Sequence, residues 1–127
     1  MIRQVLNVDS YWKVIVYYNI DYNLFDYIVT DLRAIGISTR TIRKIYRTMS
    51  SHRAKGVTIT HKKIPCSVVL FNTHSNKYDY VNTIVHEAEH IKQAMLAYYN
   101  VDDADEPPAY TVGYLVMKLL SMMKLIC

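Results

Sequence analysis

At 127 residues the chain has room for one domain (1–127) with an ordinary hydrophobic core and not for two. Apolar residues make up 51% and charged ones 20%, with no biased repeat, so a compact globular protein is expected rather than a low-complexity one. The formal charge is +4, and the two cysteines, Cys66 and Cys127, form no CxxC pair, which argues against a disulfide framework or a thiolate zinc site and for a reducing, cytoplasmic setting.

Met1 to Asp9 lacks the uninterrupted apolar core of a signal peptide. Tyr11 to Tyr18 is rich in aromatic and β-branched residues and reads as a strand. Phe25, Ile28, Leu32 and Ile35 share one helical stripe, with Gly36 as its stop, and Ser38 or Thr39 caps a second helix through about Met49. Val57 to His61 and Cys66 to Phe71 read as strands joined by a turn around Lys62-Lys63-Ile64-Pro65. Asn76 to Tyr99 is one long helix, Asn100 to Asp105 a polar loop, and Glu106-Pro107-Pro108 opens a last helix. Tyr110 to Cys127 is mostly apolar, but Lys118 and Lys124 interrupt it before the roughly 20 residues that a span needs, so it reads as a buried helix and membrane contact is not expected. The order implies an α+β domain of two or three layers, with a sheet of about three strands against the long helix and its successor.

Within the long helix, Val81, Ile84, Val85, Ala88, Ile91, Met95 and Leu96 crowd one side and are expected to face the sheet, with Lys92 intruding near them. His86, His90 and Gln93 occupy the other side. His86-Glu87-Ala88-Glu89-His90 is the most informative stretch of the chain. Two histidines four apart on a helix stack about 6 Å from one another and can share a metal ion, while Glu87, roughly a third of a turn round, can reach a water on that ion. The expected chemistry is zinc plus a general base. A site on that face needs a further protein wall, for which the last helix is the natural candidate.

Catalytic zinc generally takes three protein ligands and keeps a position for water. Glu87, Glu89 and Glu106 are the only glutamates, and Glu106 opens the helix after the motif, so it is expected as third ligand, with Asp102, Asp103 and Asp105 competing from the same loop. As an acid at a helix start, Glu106 is also explained by the macrodipole alone. Tyr110, one turn further on, is a candidate oxyanion stabiliser, although packing is the commoner role of a single tyrosine in a chain with twelve. His74, just before the long helix, either lines the cleft, joins the metal or is an exposed loop residue.

His86-Glu87-Ala88-Glu89-His90 followed by Glu106 resembles the HExxH zincin metallopeptidases of the gluzincin type, and Asp105 to Tyr114 resembles small HExxH proteins encoded by phages and mobile elements. The likeness covers about 75–117. It implies a minimal zincin-like fold and a peptide or protein substrate, with His86, His90 and Glu106 as zinc ligands and Glu87 polarising the water. It also implies a strand edge beside the helix, a role open to Cys66 to Phe71. Glu89 is a departure, since that position is usually uncharged in active peptidases. A zinc site that only staples two helices is the non-catalytic alternative.

A second reading comes from charge. No acid lies between Asp31 and Asp79, whereas nine of the fifteen cations run from Arg33 to Lys63. Arg40, Arg43 and Arg47 share one face of the second helix, with Lys44 beside them. Such a surface suits phosphate backbones or an acidic partner, though a solvated helix face has the same composition.

Overall fold

The computed structural model describes residues 1–9, 11–100 and 107–123, with side chains from residue 112 onward in the last segment. Strands β1 (Ile2–Asn7), β2 (Lys13–Tyr18), β3 (Gly56–Thr60) and β4 (Cys66–Phe71) combine with helices α1 (Phe25–Ala34), α2 (Thr39–Ser50), α3 (Lys77–Tyr99) and α4 (Pro107–Leu120). The fold is α+β, built on one mixed sheet in the order β1-β2-β4-β3. β2 and β4 run parallel, and the two outer pairs are antiparallel.

Local chemistry sets most boundaries. Gly36 ends α1 at φ 86°, a conformation open to glycine without a Cβ penalty. Ser38 caps α2 by accepting from the Thr41 N–H, and Asn76 caps α3 by accepting from that of Asp79. Asn100 closes α3 in the left-handed region at φ 54°.

The sheet has four strands where about three were expected. The additional one, β1, turns Ile2, Gln4 and Leu6 inward, and the polar Gln4 blurs the alternation by which a strand is recognised. Pairing with β2 fixes it, Ile2 lying opposite Tyr18 and Asn7 opposite Lys13, with Asp9 accepting from the N–H groups of Tyr11 and Trp12 across the turn. Cys66–Phe71 is interior and fully buried, paired on both sides, so the edge beside the long helix is β3 instead. A strand apolar on both faces suits the middle of a sheet covered by helices on both sides.

Those helices form two cores. On one face α1 and α2 bring Phe25, Ile28, Leu32, Ile42, Ile45 and Met49 onto Ile15, Tyr17, Val68 and Leu70. On the other, α3 and α4 bring Tyr80, Ile84, Ala88, Ile91, Leu115 and Leu119 onto Val14, Val16, Val69 and Phe71. The buried stripe of α3 differs from the expected one: Val85 is 47% exposed, while Thr83 and Glu87 are buried. The helix is rolled toward β3, because the Leu115 and Leu119 side of α4 occupies its other flank and the Tyr80 hydroxyl donates to the Leu119 carbonyl. Among the described residues no helix is long and apolar enough to cross a membrane.

Candidate metal centre

The middle of α3 carries the chemistry. His86 and His90 are exposed one turn apart, their rings edge to face with centroids 4.7 Å apart and their Nε2 atoms separated by 3.1 Å. A tetrahedral zinc with bonds of about 2.05 Å keeps its ligand nitrogens about 3.3 Å apart, so the spacing fits one shared ion. It equally suits an N–H···N hydrogen bond between neutral imidazoles, the same two lone pairs competing for a proton or a metal.

Glu87 turns the other way, under the edge of the sheet. It is 3% exposed, and its Oε1 accepts a 2.9 Å hydrogen bond from the Thr58 hydroxyl of β3. No cation lies within ion-pair distance of it among the described residues. A buried carboxyl costs stability unless it is well paired, and one neutral donor offsets only part of that cost. Packing alone has no use for a glutamate here.

Strand β3 is shaped to admit it. Gly56, Thr58 and Thr60 alternate onto the face toward α3, while Ile59 and Val57 join the opposite core. A Cβ on Gly56 would lie 2.8 Å from Thr83 Cγ2, 3.2 Å from Phe71 Cδ1 and 3.3 Å from Glu87 Cγ. The missing side chain is what lets helix and strand close on one another. Between them opens a cleft of about 290 Å3, lined by Lys55 and Gly56 from the strand side and by Thr83, His86 and Glu87 from the helix. The wall facing His86 and Glu87 is thus the start of β3 and the residues just before it, whereas the described part of α4 is drawn to the apolar core by Leu115 and Leu119.

Around the cleft the charges are arranged in pairs. Lys55 is ion-paired with Asp79 in the first turn of α3, where a carboxylate also suits the helix dipole. Glu89, the unusual residue of the motif, is held by Lys92 at 2.6 Å and Gln93 at 3.2 Å. Lys92 is only 13% exposed along its side chain, so its stem covers apolar surface while its ammonium reaches that carboxylate. His74 is not the exposed loop residue expected. It is 9% exposed, packs between Phe71 and Tyr80, and sits 2.9 Å from the Thr83 hydroxyl. Burial holds its pKa below the usual histidine range.

Of the expected site residues, His86 and His90 come together one turn apart on α3, whereas Glu87, next to His86 in the chain, points to Thr58 of β3; His86 and Glu87 line the cleft. Glu106, with Asp102, Asp103 and Asp105, lies outside the described residues, as does the side chain of Tyr110. Among the described residues no group of three or more His, Cys, Asp or Glu gathers around a common point. Thr58 and Gly56 were not anticipated from sequence. The one available signal was Gly56-Val57-Thr58-Ile59-Thr60 itself, whose small polar face would ordinarily be assigned to solvent. Comparison with models of known protein families, with curated proteins and with solved structures finds no match to this chain.

Proposed function

We propose that the chain is a zinc-dependent metallopeptidase of the gluzincin type, hydrolysing peptide bonds in a peptide or protein substrate. The observation that carries this reading is the pair of imidazole nitrogens 3.1 Å apart on α3 with a buried, hydroxyl-bound carboxyl on the residue between their turns. In this reading His86 and His90 hold the ion and Glu106 supplies the third ligand, with Asp102, Asp103 and Asp105 as its competitors. Zinc at such a site supplies Lewis acidity, bringing the pKa of a water close to neutrality and polarising a carbonyl.

Glu87 is the general base. It takes a proton from the attacking water as the new C–O bond forms, then returns it to the amine nitrogen as the C–N bond breaks. Thr58 fixes its carboxyl on the cleft side of the helix and so acts as a positioning residue. Tyr110 is assigned to the oxyanion. Among the described residues the outer edge of β3 has no strand partner, and it lies alongside with backbone groups available to an extended chain. The free, buried thiol of Cys66 accords with a reducing, cytoplasmic setting.

Metal content of purified protein tests the reading. Wild type is expected to carry one zinc per chain, and His86→Ala and Glu106→Ala to lose it. Zinc retained by Glu106→Ala at unchanged affinity reassigns the third ligand; a wild-type protein that takes up no zinc overturns the proposal. Turnover of a fluorogenic peptide library, abolished by Glu87→Gln with zinc retained, separates a peptidase from a structural zinc site.

A further inference from the structure

The opposite side of the molecule holds a larger concavity that the zinc chemistry does not use. Between the turn before α1 and helix α2 lies a groove of about 650 Å3, within the usual range for a small-molecule site. Its floor is aromatic and apolar, with Tyr22, Phe25, Ile42 and Tyr46 contributing. Phe25 and Tyr46 meet edge to face at 4.9 Å, Tyr22 lies 5.9 Å from Tyr46, and Tyr46 remains 41% exposed. Arg43 and Arg47 line the same groove from α2.

Arg47 also lines a second depression of about 510 Å3, together with Lys44, Thr48, Ser51 and Arg53. The two hollows therefore share Arg47 in their linings. Arg43, Lys44, Arg47 and Arg53 are exposed and have no ion-pair partner among the described residues. Unpaired cations continuous with an exposed ring are the two parts that sequence-tolerant binding of single strands requires, a backbone track and a stacking platform.

We propose that this face binds single-stranded nucleic acid, with a base seated against the exposed ring of Tyr46, which Phe25 supports from below, and the adjoining phosphates running past Arg43 and Arg47 toward Lys44 and Arg53. Asp26 decides against an acidic peptide. It is the carboxylate lining the groove, set on the α1 side across from the arginines, where it repels acidic side chains but accepts from an N–H on a base edge. A duplex does not fit the same features, because its bases are already stacked and cannot enter the groove.

Fluorescence anisotropy with a labelled oligothymidylate of about 12 nucleotides tests the proposal. Affinity is expected to fall with salt, the slope of log K against log salt being about −0.7 per phosphate neutralised. Arg43→Gln and Arg47→Gln are each expected to make that slope shallower by about 0.7. Tyr46→Leu, which keeps apolar volume against Phe25, is expected to weaken binding roughly fivefold or more at unchanged slope. Absence of binding, slopes unchanged in both arginine variants, an unaltered affinity in Tyr46→Leu, or equal competition by duplex DNA or polyglutamate each overturns it. Circular dichroism of the variants guards against misfolding.

Discussion

Beneath α1 and α2 the sheet meets mainly apolar side chains, the polar exceptions being Asp31 of α1, which accepts from the Tyr17 hydroxyl and pairs with Arg3, and Asn72, which donates to the Met49 carbonyl, while every charged residue of α2 stays in solvent. Beneath α3 the same sheet meets Thr83 and Glu87, both buried, with His74 tucked in behind them. The first interface is an ordinary amphipathic solution in which chemistry remains outside the core. The second brings a carboxyl, a histidine and two threonine hydroxyls into the protein, each with a hydrogen-bond partner, at the point where an edge strand and a helix approach most closely. Departures from simple patterning of this kind are expected where function, rather than stability, sets the residue.

Substitutions sharpen the contrast. The largest effect is expected from Glu87→Gln, which should lower peptide turnover by about 10²- to 10⁴-fold while leaving the melting temperature unchanged or higher, since a neutral amide is cheaper to bury. A thermal shift assay in which this variant melts far below wild type would make the carboxyl a structural element instead. Gly56→Ala, with its Cβ 2.8 Å from Thr83, is expected to cost about 1–3 kcal/mol by chemical denaturation. Thr58→Val removes the donor to Glu87 and should cost about 1–2 kcal/mol, with turnover reduced because the base is no longer held. On the opposite face, Arg40→Ala is expected to stay within about 0.5 kcal/mol of wild type, and a larger loss would break the distinction between the two sides.

Acidification should reveal a smaller difference. The pKa of His74 lies below its ordinary 6.5 because burial penalises the imidazolium. The unfolded chain therefore binds more protons than the folded one between those two values, and stability rises with pH across that window. The His74 contribution is fully present above about pH 6.5 and is lost as the pH falls through the folded value. Melting temperatures followed from neutral to mildly acidic pH should show that decline in wild type and a flatter profile in His74→Asn.

Much of this was legible in the chain itself. The histidine spacing, a cap at Ser38 or Thr39, the stop at Gly36 and the apolar runs of β2 and β4 all matched their elements, Ser38 proving to be the cap. The role of β1 was hidden by Gln4, whose amide oxygen accepts from the Tyr18 hydroxyl rather than facing water. Val85 misled because a helical wheel has no information about which neighbours flank the helix, and α4 and β3 together set the roll of α3. His74 lies in the loop as read, but instead of being exposed there it is enclosed by Phe71 and Tyr80.

What the sequence by itself determined was whatever a few consecutive residues can satisfy among themselves: helix turns that bring His86 to His90, capping hydrogen bonds and left-handed stops. The tertiary structure alone decided that Cys66–Phe71 is interior, that Gly56–Thr60 is the edge, and that Glu87 points beneath it to Thr58, 29 positions away in the chain. The reason is physical. Hydrogen bonds within a helix close over three or four residues, whereas strand pairing and burial depend on partners that only long-range folding brings into contact.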